Sequence, residues 1–161
     1  MCIRDRFDIH QIDPELFVGP CPMGPEDSRA LAAAGVGGVL SLQTDEDLRA
    51  LGLRWEVLWG GHVAAGLAVL RVPIRDFDKK NLAASVEDAL LALDHLASGG
   101  KPVYVHCTAG LNRSPTIVIA ALAKRHRLSL EDATERLMRA HPGAIPYVET
   151  LARWAKKLPP R

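Results

Sequence analysis

The segment VYVHCTAGLNRSPTIVIAAL, Val103 to Leu122, constrains this chain more than any other. Pro102 to His106 reads as a strand without a formal charge, the composition of a central strand buried on both faces. A helix is expected from about Ser114 to His126, so a short loop joins strand to helix. Such a junction is an anion site. The main-chain N–H groups of Thr108, Ala109, Gly110, Leu111, Asn112 and Arg113 have no acceptor inside the helix and can converge on one point. The helix dipole adds partial positive charge there, and Gly110 permits a tight inward turn. Arg113 supplies a planar fork that grips two oxygens of a phosphate, sulfate or vanadate ion.

The remaining chain alternates short β-branched runs with longer helical periods. Strands are expected at Leu16 to Gly19, Val36 to Gln43 and Leu67 to Ile74. Pro25, Glu26 and Asp27 open a helix to about Ala34 that stops at Gly35. A weaker helical stretch carries Trp55, Trp59 and Val63 and is interrupted by Gly60 and Gly61; its tryptophans read as core. Leu82, Val86, Leu90, Leu93 and Ala97 share one helical face, and Gly99 and Gly100 end that helix. Ser129 with Asp132 signals a capped helix, and Pro146 opens a last one burying Val148, Leu151, Ala155 and Leu158. The expectation is one α/β domain, with a mostly parallel sheet of about four to five strands and about six helices.

Size and charge remove several classes of function. A chain of 161 residues, 48% apolar and 24% charged, has room for a single packed domain. Its 20 Lys and Arg against 19 Asp and Glu leave +1, which argues against nucleic-acid partners and polybasic membrane anchoring. No apolar run approaches the ~20 residues of a membrane span. Three cysteines, an odd number, do not make a disulfide framework, and a reducing cytoplasmic setting is expected. The opening MCIRDR fits poorly with the rest of the chain and reads as an artefact or a disordered tail, so the domain is taken as residues 7–161.

Cys107 stands in front of the anion cradle. Loop amides, Arg113 and the Ser114 hydroxyl favour its thiolate, a soft nucleophile suited to phosphate monoesters through a phospho-cysteine intermediate. Arg113 and the amides neutralise the equatorial oxygens, so no metal or other cofactor is expected. His10, His62, His95, His126 and His141 have no metal-ligand spacing. The leaving oxygen needs a proton from another loop: Asp76 and Asp78, after the strand ending at Ile74, are the candidates, and spacing alone does not choose between them. His106 reads as a buried residue that orients the loop. Ser114 reads equally as a helix cap and as a stabiliser of the Cys107 leaving group.

HCTAGLNRS, His106 to Ser114, resembles the His-Cys-x5-Arg-Ser/Thr signature of the cysteine-dependent protein tyrosine phosphatase superfamily. The resemblance implies the protein tyrosine phosphatase-like fold and hydrolysis of phosphoric monoesters. In the dual-specificity branch the acid lies upstream of the Cys at the spacing Asp76 has here, so the resemblance favours Asp76. VGPCPMGPEDSRALAAAGVGGVLSLQTDEDL and IRDFD look similar to the catalytic domain of plant starch (glucan) phosphatases, relatives of laforin. That likeness implies a sugar-stacking role for Phe77, although Asn112 stands where those enzymes usually carry Gly. Phosphoprotein or general phosphomonoester substrates come first and phosphoglucan second. The uncharged Thr108, Ala109, Leu111 and Asn112 disfavour phosphoinositides. A rhodanese-type sulfurtransferase needs neither Asp76 nor Arg113, and a non-catalytic phospho-binding module commonly loses the Cys or Arg.

Overall fold

The computed structural model describes residues 7–160, so the reading of residues 1–6 lies outside the described residues. A five-stranded sheet forms the centre, comprising β1 (His10–Asp13), β2 (Leu16–Gly19), β3 (Gly38–Ser41), β4 (Ala68–Arg71) and β5 (Val103–His106). Its order is β1-β2-β5-β3-β4, with β1 antiparallel to β2 and every other pair parallel. The chargeless strand β5 is indeed interior, aligned with Leu16–Gly19 on one side and Gly38–Ser41 on the other.

Helices cover both faces: α1 (Pro25–Ala33), α2 (Asp45–Ala50), α3 (Trp55–Ala64), α4 (Lys79–Ala97), α5 (Arg113–His126), α6 (Leu130–Ala140) and α7 (Ala152–Ala155), the last preceded by a 3₁₀ turn, Val148–Leu151. Strand alternation divides the core in two. Phe17, Val39 and Tyr104 pack with Leu31, Val36 and Leu67 beside α1 and α3. Leu16, Val18, Leu40, Val103 and Val105 face the larger layer built with α4, α5 and α6. Every residue of α5 from Arg113 to Ala123 is buried, and Ala120, Ala121 and Ala123 let its neighbours approach closely. Each fully buried Leu or Ile in this layer contributes roughly 1.5–3 kcal/mol. None of the described helices is long and apolar enough to cross a membrane.

Several sequence expectations are corrected. The three internal strands are shorter than expected: pairing in β3, β4 and β5 stops short of Val36 and Gln43, of Leu67 and Ile74, and of Pro102. Strand β1 and helix α2 were not expected; the signal for α2 is the capping box in which Thr44 and Asp47 satisfy each other's main-chain N–H groups. Helix α3 runs unbroken through Gly60 and Gly61, and Gly61 lies against α1, where an added Cβ would sit 3.6 Å from Ser28 Oγ. Trp55 and Trp59 are not core: Trp59 is 48% exposed, and half-buried Trp55 lies beneath the Arg71 guanidinium, 4.9 Å from its ring centre. Pro146 does not open the last helix. Residues 145–147 are drawn instead toward the loop, with Ile145 N–H donating to Leu111 O (2.7 Å) and Tyr147 N–H to Thr116 Oγ1 (2.9 Å).

Candidate active site

The loop between β5 and α5 is shaped by what holds its carbonyl groups. His106 Nδ1 donates to Cys107 O (2.9 Å), and Cys21 N–H donates to Thr108 O (2.9 Å). His141 Nε2 donates to Gly110 O (2.9 Å), and Ile145 N–H to Leu111 O (2.7 Å). Asn112 O accepts from both Thr116 N–H (3.1 Å) and Thr116 Oγ1 (2.7 Å). Carbonyls tied outward turn the amides the other way. None of the N–H groups from Thr108 to Arg113 donates to an acceptor among the described residues, so the cradle of donors anticipated from the sequence is present.

Gly110 adopts φ +73°, and a Cβ there would lie 2.3 Å from Gly19 C and 2.7 Å from Pro20 N. Only glycine meets both demands, the left-handed backbone and the close approach to the β2–α1 connection. Tyr104, buried beneath that connection, donates its hydroxyl to Pro20 O. The loop is thus clamped from below by Gly19, Pro20 and Cys21, and from the side by His141 and Ile145.

Cys107 lies at the bottom, 2% exposed, its Sγ 3.2 Å from Ser114 Oγ. Arg113 is equally buried. Burial alone would discharge it, but Asp47, with Cys107 and Asp76, holds it above its ordinary range. Its Nη1 donates to Asp47 Oδ2 (2.7 Å) and to Ile74 O (2.8 Å), and its Nη2 lies 3.4 Å from Asp76 Oδ2. Burial opposes ionisation of Asp47 too, and hydrogen bonds from Arg113 and Thr44 overcome it, lowering its carboxyl below the usual range. Burial pushes His106 down to about 3, which keeps the ring neutral and fixes it as the donor to Cys107 O. Cys21 is pushed up to about 11, chiefly by burial, and stays a thiol.

The two candidate acids are differently placed. Asp76, one-third exposed, faces the guanidinium of Arg113. Asp78 turns away: it caps α4 by accepting from Asn81 N–H (2.8 Å) and pairs with Arg75 (3.0 Å). Between them Phe77 stands 79% exposed at φ +58°, a left-handed conformation costly for an aromatic residue. Asn112 anchors the rim by donating Nδ2 to Ile145 O (2.7 Å), Thr108 and Leu111 are half-buried, and Ala109 is exposed. Cys107, Thr108, Ala109, Gly110, Leu111, Asn112, Arg113, Ser114, Asp76 and His106 therefore share one locus, with Phe77 at its edge. Among the described residues no His, Cys, Asp or Glu cluster could hold a metal.

Asp47, Thr116, His141 and Ile145 belong to this locus and were not singled out from the sequence; of these only Asp47 had a local signal, its capping box. A groove of about 490 Å³ lies at the far end of α5, lined by Lys124, Arg127, Leu128 and Leu158 among others, with no nucleophile or carboxylate facing it.

Residues 59–156 match the family model for the dual specificity phosphatase catalytic domain. The chain is 34% identical over 111 residues to an amyloplastic phosphoglucan phosphatase of Castanea sativa, covering 68% of this chain and 30% of that one. It is 28% identical over 131 residues to dual specificity protein phosphatase 2 of Mus musculus, covering 81% and 37%. The chain thus spans about a third of the length of these curated relatives. Its fold is similar to that of PTPMT1 in complex with PI(5)P, with TM-score 0.77, 25% identity and coverage of 92% and 95%. It is also similar in fold to Tk-PTP in its active form, with TM-score 0.76, 24% identity and coverage of 93% and 97%. With a matched family model spanning most of its length and the signature loop folded as a cradle around Cys107, this chain belongs to the dual specificity phosphatase catalytic-domain family.

Proposed function

We propose that residues 7–161 act as a cysteine-dependent phosphatase that hydrolyses phosphoric monoesters in the reducing cytoplasm. One observation carries the reading: a buried Cys107 sulfur faces a loop whose carbonyls are bonded outward and whose amides are left free, with Arg113 alongside. Cys107 Sγ attacks phosphorus as the P–O bond to the leaving group breaks, and Asp76 delivers a proton to the departing oxygen. Arg113 and the amides take the charge of the equatorial oxygens. Asp76, now a carboxylate, removes a proton from water as that water attacks the phospho-cysteine; the P–S bond breaks, releasing phosphate and the Cys107 thiolate. Ser114 Oγ, 3.2 Å away, stabilises that thiolate by hydrogen bonding. Support for Asp76 as the acid is its position against Arg113, while Asp78 is occupied as a helix cap.

Phosphoprotein and general phosphomonoester substrates suit the loop, whose variable side chains Thr108, Ala109, Leu111 and Asn112 are uncharged; a multiply charged inositol headgroup would find no lysine there. The second reading is phosphoglucan. It is favoured by Phe77, an exposed aromatic ring beside Asp76, and by the likeness to the Castanea sativa phosphoglucan phosphatase.

The test is turnover of an aryl phosphate. Cys107→Ser is expected to abolish it, and Asp76→Asn to lower kcat by about 10²-fold while vanadate still binds. Retention of most activity by Cys107→Ser refutes the mechanism. Phosphate release from phosphorylated starch and from phosphotyrosine peptides, measured side by side, separates the two substrate readings, and negligible release from starch eliminates the second.

A further inference from the structure

The Arg113 guanidinium has two edges that can each grip two oxygens, one formed by Nη1 and Nη2, the other by Nε and Nη2. Which edge meets a bound phosphate depends on what holds the rest of the group. Nη1 has two N–H bonds. One donates to Asp47 Oδ2 (2.7 Å) and the other to Ile74 O (2.8 Å), so this nitrogen is fully engaged. Nε is buried and meets no acceptor among the described residues. Nη2 makes only long contacts of 3.4 Å, to Thr108 Oγ1, Asp47 Oδ1 and Asp76 Oδ2. The uncommitted edge is Nε–Nη2, and the contacts of Nη2 with Thr108 and Asp76 place it on the side of the loop.

Asp47 is rigidly held. Its Oδ2 accepts from Thr44 N–H (2.8 Å) and from Thr44 Oγ1 (3.1 Å), while its own N–H donates to Thr44 Oγ1 (3.2 Å). We infer that Asp47 is a positioning residue: by occupying Nη1 it presents the Nε–Nη2 edge of Arg113 to two oxygens of the substrate phosphate. The inference rests on the phosphatase reading above and extends it to α2, an element outside the matched stretch of the family model.

Coulomb's law by itself argues for the opposite sign. A carboxylate near the site repels an anion, so neutralising Asp47 without any loss of orientation would tighten anion binding. Loss of orientation weakens it. The direction of the change therefore separates the two.

The probe is inorganic vanadate, its affinity measured by calorimetry and, separately, by inhibition of aryl phosphate hydrolysis. Asp47→Ala and the gentler Asp47→Asn are expected to weaken vanadate by about tenfold or more and to lower kcat/KM by about 10²-fold. Thr44→Ala opens the same capping box without touching Arg113 and is expected to stay within about threefold of wild type. In an Arg113→Lys background, where no fork remains to be oriented, Asp47→Asn is expected to shift vanadate affinity by less than about twofold. Tighter vanadate binding, an equal loss in Thr44→Ala, or an undiminished effect in the lysine background overturns the inference. Wild-type protein that binds vanadate without turning over aryl phosphate overturns the phosphatase reading instead, and the calorimetric comparison still judges Asp47. Failure of wild type to bind vanadate overturns both.

Discussion

Lowering the pH from 8 to 5 should unfold this domain far more readily than its carboxylates would suggest, because two imidazoles are buried as neutral rings. His62, bonded to Ser28 Oγ (2.9 Å) and 2% exposed, is pushed by burial down to about 4. His106, beneath the loop and equally buried, is pushed down to about 3, first by burial and further by neighbouring His62 and Arg113. In the unfolded chain both titrate near 6.5. Below that pH the unfolded state binds protons that the native state refuses, so stability falls as pH drops. The fall continues until about pH 4 for His62 and about pH 3 for His106. At pH 5 each unfolded imidazole is about 1.5 pH units below its midpoint, which corresponds to about 2 kcal/mol per histidine and about 4 kcal/mol for the pair. Against a typical domain stability of roughly 5–15 kcal/mol that is a large fraction. With a urea slope of about 2 kcal/mol/M, the unfolding midpoint should drop by about 2 M between pH 8 and pH 5. His10, lowered by burial and by His141, adds to the same slope, so the deciding comparison is His62→Gln, which should remove about half of the drop. A midpoint shift below about 0.3 M, or a slope unchanged in His62→Gln, refutes the reasoning.

Gly110→Ala forces a Cβ to within 2.3 Å of Gly19 C at φ +73°. Aryl phosphate kcat/KM should fall by more than about 10²-fold with the circular dichroism spectrum retained, and activity within about tenfold of wild type would contradict the clamp. Asp78→Ala removes the α4 cap, so urea titration should register a loss of about 1 kcal/mol while kcat stays within a few-fold. A fall in kcat as deep as that of Asp76→Asn would reassign the acid. Leu93→Ala opens a cavity between α4 and the sheet at a fully buried position and should cost about 2–5 kcal/mol in the same titration. A cost below about 1 kcal/mol would mean that this layer is loosely packed.

The strand, loop and helix around Cys107 were legible in the sequence because their determinants are contiguous. An uncharged strand, a glycine, an arginine and a helix start act on one another through bonds a few residues long. The parallel sheet and the face of α4 were legible for a similar reason, since periodicity reports burial directly. Helix α3 was misread because its tryptophans are apolar by composition, yet Trp59 faces solvent and Trp55 is stacked under Arg71, a residue of another element.

What the chain alone determined, then, is the nucleophile, the cradle that faces it and the α/β frame, all set by local conformation and short-range pattern. Tertiary structure decided the rest of the site. Asp47 reaches Arg113 from α2, His141 reaches Gly110 from the end of α6, Ile145 reaches Leu111, and Asp76 rather than Asp78 faces the guanidinium. These contacts join residues that are 31 to 66 positions apart in several cases, and no local rule encodes them. They exist because closing the sheet and packing its helices brings separate turns to one end of β5, where buried donors and acceptors must find partners.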